Sequence, residues 1–117
     1  MKDEMNDTQI QQIIRKLNDN LRTSLNPALG RLMMSRLVSK LGELQRMQLL
    51  RMVSKFEDFT PDTDPYLEHD FGTVTLGGVK YLWKIDYYDL GCQYGSEDPS
   101  DPSMTTRVLT VMEAGEY

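Results

Sequence analysis

The stretch FGTVTLGGVKYLWKIDYYD, residues 71–89, decides the fold of this 117-residue chain. Apolar side chains precede the pair Gly77-Gly78 and alternate with polar ones after it, and adjacent glycines permit the positive φ angles of tight hairpin turns. The stretch therefore predicts a β-hairpin. Alternation divides its second arm into two sets, Trp83, Ile85, Tyr87 and Lys84, Asp86, Tyr88. We expect the first set in the core, with Trp83 as a structural residue, and the second to display an aromatic ring beside charge.

Two connectors rich in turn-forming residues flank the hairpin. They are TPDTDPY at residues 60–66 and GCQYGSEDPSDPS at residues 91–103, in which prolines and short acceptor side chains disfavour regular structure. After the second connector, TTRVLTVMEA at residues 105–114 alternates in the manner of a further strand. The C-terminal half is thus predicted to form a small antiparallel sheet.

The N-terminal half has helical periodicity. Apolar residues recur at steps of three and four and predict a helix over about residues 8–24, which Asp7 or Thr8 caps and Asn26-Pro27 ends. Because Gly42 is a plausible break, a second helix is predicted over residues 43–57. Its apolar face is expected to contain Leu44, Met47, Leu49, Leu50, Val53 and Phe56, with the basic side chains of Arg46, Arg51 and Lys55 near the opposite side.

Residues 31–43 and 46–58, RLMMSRLVSKLGE and RMQLLRMVSKFED, align with five identities. As an internal repeat they would imply two similar helices, although so short a match supports that interpretation weakly. Helices followed by a small sheet indicate one α+β domain over residues 1–117, in which N-terminal helices pack on an antiparallel sheet of three or four strands. A disordered tail over residues 1–7 is an open alternative.

Four segments carry a family resemblance: DPYLEHDFG, WKIDYYD, GSEDPSDP and TTRVLTVMEAGEY. In order and spacing the chain resembles the bacterial domain-of-unknown-function family 3768 across about residues 15–117. The resemblance brings no established activity. It implies an extra strand at residues 31–35, where propensity alone predicts helix, and the family pattern has glycine at the position of Leu67.

The charge of the chain is divided between its halves. Residues 1–56 carry ten basic and five acidic side chains, and residues 57–117 carry three and thirteen, so their formal charges are +5 and −10. Such asymmetry steers charged partners if the halves form different faces. A polar N-terminus, the absence of a long apolar run and the lone Cys92 lead us to expect a soluble cytoplasmic protein.

His69, the one histidine in the chain, stands between Glu68 and Asp70. Imidazole could act as a general base, but neighbours on an extended strand point to opposite faces, so an orienting carboxylate would have to come from Asp86 or Asp89 across the hairpin. We therefore predict no catalytic residue and interpret His69, with Glu68 and Asp70, as a hydrogen-bonded structural motif. An enzymatic or metal-dependent site built on these segments is the alternative.

Other chemistry has little support in the sequence. The chain has no nucleophile elbow, P-loop, dinucleotide fingerprint or EF-hand loop, and one histidine with one cysteine cannot build a zinc cage. We predict no metal site and no cofactor. Nucleic-acid binding through the basic helix at residues 43–57 stays a second alternative, disfavoured because the rest of the chain is acidic.

The expected function is that of a small acidic, non-enzymatic binding protein. A protein partner is expected, with no membrane association, and the chain itself is expected to be a monomer or a homodimer. Accessory proteins of mobile elements and inhibitors of bacterial defence nucleases, which offer carboxylates to a basic groove, fit this composition. The binding candidates are Asp62, Asp64, Asp86, Tyr88, Asp89, Glu97, Asp98 and Asp101.

Overall fold

A computed structural model describes residues 5–117 and confirms the α+β class. The elements in chain order are α1 (Asp7–Ser24), β1 (Arg31–Met34), α2 (Arg36–Ser39), α3 (Glu43–Ser54), β2 (Phe71–Leu76), β3 (Val79–Tyr88), β4 (Thr106–Glu113) and a 3-10 turn (Ala114–Glu116). Residues 1–4 of the proposed tail lie outside the described residues, whereas Asp7 already belongs to α1. In the part of the chain described, no helix has both the length and the apolar character that crossing a bilayer requires.

Helix α1 begins with a capping box that the sequence analysis missed. The side chain of Asn6 accepts a hydrogen bond from the Gln9 amide, and the Gln9 side chain accepts one from the Asn6 amide. The predicted caps, Asp7 and Thr8, are therefore wrong, because both residues already lie inside the helix. The helix ends as predicted before Asn26-Pro27, with Leu25 in the left-handed conformation at φ 53°.

The four strands form a mixed sheet in the order β1-β4-β3-β2. The predicted hairpin is confirmed, with Leu76 paired to Val79 and positive φ angles at Gly77 and Gly78. Strand β4 pairs antiparallel with β3, but β1 lies parallel to β4, so the expected purely antiparallel sheet is wrong at this edge. The strand that the resemblance implied at residues 31–35 exists, and two similar helices do not.

Helix α3 buries a narrower face than expected. Leu49 and Val53 are fully buried, but the side chains of Leu44 and Met47 are 70% and 61% exposed. Val53 follows Leu44 by nine residues, which is about two and a half helical turns, so the two side chains point in opposite directions. The prediction that Leu44 and Met47 belong to the apolar face is therefore wrong.

The core lies between one face of the sheet and the helices. Trp83 is completely buried at its centre, and the side chains around it are Leu21, Val38, Leu49, Val53, Tyr81, Ile85, Leu109 and Val111. The predicted alternation in β3 is confirmed, because Lys84, Asp86 and Tyr88 lie on the opposite face and are only partly buried.

The pairing of the strands brings both acidic connectors to one end of the sheet. Phe71, the first residue of β2, pairs with Lys84 near the end of β3, and Tyr88 at that end pairs with Thr106, the first residue of β4. The connectors at residues 55–70 and 89–105 therefore lead into and out of the same end, which we call the acidic end.

Candidate functional site

The imidazole of His69 lies between two carboxylates from distant parts of the chain. Its Nδ1 atom is 2.9 Å from Oδ1 of Asp19 in α1, and its Nε2 atom is 3.7 Å from Oδ2 of Asp64 in the first connector. One face of the ring stacks on Phe59, with 3.6 Å between the ring centroids and 2° between the planes. The expectation that Asp86 or Asp89 would orient the ring is wrong.

The backbone around His69 is held in an uncommon conformation. Leu67 and His69 have φ angles of 58° and 55°, in the left-handed region that favours glycine. The His69 amide donates a hydrogen bond of 3.0 Å to Oδ1 of Asp64. A glycine at position 67 would adopt this φ angle without steric cost.

This arrangement limits what His69 can do chemically. A general base needs a ring nitrogen that is free to face the substrate. Nδ1 of His69 is within hydrogen-bond distance of Asp19, whereas Nε2 lies 3.7 Å from Oδ2 of Asp64, too far for a hydrogen bond. The ring borders a cleft of about 460 Å³ that Arg22, Ser54 and Glu57 also line. The hydrogen bond to Asp19 and the stacking on Phe59 support the structural interpretation of His69.

A second buried network joins α1 to the sheet. The Asn18 side chain donates to the Glu68 carbonyl at 2.9 Å and to the Tyr87 hydroxyl at 2.8 Å, and it accepts from Nε of Arg107 at 2.6 Å. Tyr87 in turn donates to Oε1 of Glu68 at 2.7 Å, and Arg107 also donates to the Pro99 carbonyl. Burial, followed by the hydrogen bond to Glu68, raises the pKa of Tyr87, and burial lowers the pKa of Arg107.

Arg22 joins α1 to the end of α3. Its guanidinium donates to the carbonyls of Val53, Ser54 and Phe56 at 3.0, 3.1 and 3.0 Å, which satisfies acceptors at the end of that helix and just beyond it. It also lies over the rings of Phe59 and Trp83, 5.4 and 5.1 Å from their centroids.

Sequence reasoning missed the structural roles of Asn18, Asp19, Arg22 and Arg107. A weak signal was present, since residues 18, 19 and 22 place polar groups beside the apolar stripe of α1 at helical spacing. Apart from the Asp19–Arg22 and Arg107–Pro99 bonds, the hydrogen-bond partners of these groups lie more than thirty residues away, and local patterns do not report such distances.

The predicted binding residues differ in their availability. Asp64 is 2% exposed and serves the turn at His69, so it is not a surface carboxylate as expected. Asp98 and Asp101 accept hydrogen bonds from the amides and hydroxyls of Ser100 and Ser103 within their turns.

The remaining candidates occupy the surface or its margin. Asp89 accepts from the Gln93 amide, Asp86 pairs with Lys84, and Tyr88 is partly buried on the open face of the sheet. Only Asp62 and Glu97 are exposed.

The carboxylate of Asp70 lies among other acidic groups. Burial is the main cause that raises its pKa, and the charge of Glu68 raises it next, with smaller contributions from Asp64 and Asp86. Asp64, Glu68, Asp70 and Asp86, all singled out in the sequence, are therefore close enough to interact electrostatically at the acidic end.

Within residues 5–117, no three His, Cys, Asp or Glu side chains are arranged as a metal site. The prediction of no cofactor stays a prediction.

Large apolar side chains accompany the acidic groups. Tyr66 and Leu67 in the first connector are 67% and 52% exposed, and Leu90 and Tyr94 in the second are 64% and 73% exposed. None of these four residues was among the predicted binding residues. Their exposure gives the acidic end the apolar and aromatic contacts that protein interfaces use.

Comparison with known proteins identifies the family of this chain. A family described as a protein of unknown function, DUF3768, matches residues 34–116. The chain belongs to this family. The match begins at the last residue of β1 and covers α2, α3, strands β2 to β4 and both connectors of the DUF3768 chain, including the turn at His69. No curated protein and no solved structure gave a match.

Proposed function

We propose that this DUF3768 chain is a non-enzymatic, cytoplasmic binding protein that engages a basic macromolecule through its acidic end. The observation that carries the proposal is the convergence of both connectors at one end of the sheet, with Tyr66 and Tyr94 exposed beside Asp62 and Glu97. Exposed aromatic rings supply contact energy, and carboxylates select and steer a basic partner.

The buried networks behind this end support the same function. His69 and Asn18 tie the first connector to α1, and Arg107 ties the second connector to the same helix through Asn18 and the Pro99 carbonyl. Rigid loops lose little conformational freedom on binding, which favours affinity. The His69 cluster therefore contributes to binding indirectly, by holding the surface in shape.

The basic groove in which a nuclease binds nucleic acid is a partner surface with chemistry that matches the acidic end. Carboxylates presented at fixed positions compete with phosphates for the same lysine and arginine side chains. An inhibitor of a bacterial defence nuclease, or an accessory protein of a mobile element that acts in this way, is the specific form of the proposal.

The experiment is a quantitative pull-down from a nuclease-treated bacterial lysate at low salt. The test variant combines Asp62→Asn, Glu97→Gln and Tyr94→Ala, and the control combines Asp7→Asn, Glu43→Gln and Leu44→Ala, which change the same charge at exposed helical positions. We expect mass spectrometry to identify a basic protein that the parent and the control recover and the test variant loses. Equal recovery by the test variant would overturn the proposal.

A further inference from the structure

The outer edge of β2 is an open template for strand pairing. Ile85 donates to the Asp70 carbonyl and Leu76 pairs with Val79 across the two-residue turn, so the even-numbered residues of β2 bond to β3. The amides and carbonyls of Phe71, Thr73 and Thr75 therefore point away from the sheet. No partner within residues 5–117 occupies them.

Strand β2 also lacks the features that prevent pairing at sheet edges. Its sequence, FGTVTL, contains no charge and no proline, and it has the β-branched residues that favour strands. At the opposite edge of the sheet, β1 has only four residues and begins with the charged Arg31. The edge of β2 is thus the longer and less protected of the two.

A groove accompanies this edge on the helical side of the sheet. It has a volume of about 440 Å³ and lies between Leu76 and one stripe of α3, formed by Gln48, Arg51, Met52 and Lys55. These four helical residues follow the spacing i, i+3, i+4, i+7, so they face the same direction. A Cβ atom on Gly72 would lie only 2.8 Å from the Phe56 ring, which shows how closely the chain after α3 packs on the start of β2.

The chemistry of the groove selects one kind of occupant. Met52 and Leu76 give it an apolar lining, while Arg51 and Lys55, both exposed, make its rim basic. We propose that an extended peptide segment of a partner protein binds here as a fifth strand beside β2. Its side chains on the helical side are apolar opposite Val74 and Leu76 and acidic where they reach Arg51 and Lys55, and its backbone pairs with Phe71, Thr73 and Thr75.

This site is distinct from the acidic end and takes a ligand of opposite charge. It also gives the basic side chains of α3 a role that does not require nucleic acid. The two surfaces would let the chain connect a basic partner to an acidic one.

The test uses the full chain and a phage-displayed library of random peptides of about eight residues, long enough to span β2. We expect enriched peptides to combine apolar residues with Asp or Glu at alternate positions. A resynthesised, fluorescently labelled peptide then reports affinity by polarisation. Enrichment of basic peptides, or of none, would overturn the proposal.

Two pairs of variants locate the binding site. Thr73→Pro removes an outward donor without removing a bond to β3 and should weaken binding about tenfold or more, whereas Thr73→Val keeps the donor and should bind within about twofold of the parent. Arg51→Glu should weaken binding by about tenfold, and Lys40→Glu, an equal change at an exposed position outside the groove, should not. Unchanged affinity of both Thr73→Pro and Arg51→Glu would contradict strand addition in this groove.

Hydrogen exchange on the unmodified chain gives a readout that does not depend on how the variants fold. The amides of Phe71, Thr73 and Thr75 should exchange rapidly in the free protein and become protected when the peptide is bound. Continued rapid exchange under saturation would contradict the proposal. If sedimentation instead shows that the parent dimerises and Thr73→Pro is monomeric, the occupant is a second copy of the chain and the peptide proposal is wrong.

Discussion

The Nδ1 atom of His69 lies 2.9 Å from Oδ1 of Asp19, a residue fifty positions earlier in the chain. This contact joins the connector before the hairpin to the middle of α1. With Asp64 near the other ring nitrogen and Phe59 stacked on the ring, His69 holds the acidic end in position. A structural role for this side chain has measurable consequences.

We expect His69→Ala to lower the free energy of unfolding by about 1–3 kcal/mol, because it removes the hydrogen bond to Asp19 and the ring stacked on Phe59. Urea denaturation monitored by Trp83 fluorescence measures this change. Asp19→Asn provides a double-mutant cycle, in which the combined variant should lose less than the sum of the two single losses. Simple additivity would show that the two residues do not act together.

Adding a methyl group at Gly72 should destabilise the folded protein. Its Cβ atom would lie 2.5 Å from Nε1 of Trp83 and 2.8 Å from the Phe56 ring, and neither ring can move freely in the core. Gly72→Ala should therefore lower the free energy of unfolding by about 1–3 kcal/mol. Gly91→Ala is the matched control, since its nearest neighbour would be Oδ1 of Asp89 at 3.8 Å. Equal midpoints in thermal unfolding would contradict the expected clash.

Leu67→Gly should stabilise the protein. Leu67 is 52% exposed and has a φ angle of 58°, so glycine relieves backbone strain and sacrifices little packing. The expected gain is up to about 1 kcal/mol, measured by chemical denaturation, because the strain relieved is partly offset by the greater freedom of glycine in the unfolded chain. Leu90→Gly, at an exposed position without a positive φ angle, should be destabilising. A loss of stability in Leu67→Gly would show that its side chain contributes more than its backbone costs.

The raised pKa of Asp70 predicts a pH dependence of stability. The Asp70 carboxyl keeps its proton to a higher pH in the folded protein than in the unfolded chain, where its pKa is about 3.8. Its contribution to stability is therefore full below pH 3.8 and is lost as the pH rises through the folded-state pKa. Asp70→Asn, which mimics the protonated form, should gain stability over the parent at neutral pH and little at acidic pH.

Thermal unfolding of the parent and Asp70→Asn across this pH range tests the expectation. Because burial is the largest cause of the raised pKa, high salt should leave most of the difference at neutral pH in place. A variant that is less stable than the parent at neutral pH would mean that the ionised carboxylate is favourable in the fold.

Local patterns were sufficient to predict much of the fold. The glycine pair and the alternation after it determine the hairpin, and three- and four-residue spacing determines α1. Strand β1 could not be found in this way, because Arg31–Met34 has no strand-like alternation and depends on β4 for its pairing. The resemblance to a family supplied that strand.

The candidate site was less predictable because its contacts are not local. The sequence singled out His69 and Asp64 but could not show that Asp64 is buried or that Asp19 approaches His69 from α1. Charge composition indicated an acidic surface, yet the exposure of Tyr66 and Tyr94 follows from tertiary packing. Patterns report the periodicity of one element, whereas a site depends on how several elements meet.

Strand β4 lies between β1 and β3 in the sheet, although it is the last of the four strands to be synthesised. Arg31 leaves the ribosome well before Val108, the residue with which it pairs. Strand β1 and the inner edge of β3 therefore cannot form their hydrogen bonds to β4 until translation is nearly complete. Until then the inner edge of β3 has no partner strand in the nascent chain. Newly made copies should therefore depend on chaperones, and products of premature termination before β4 should be cleared by proteases.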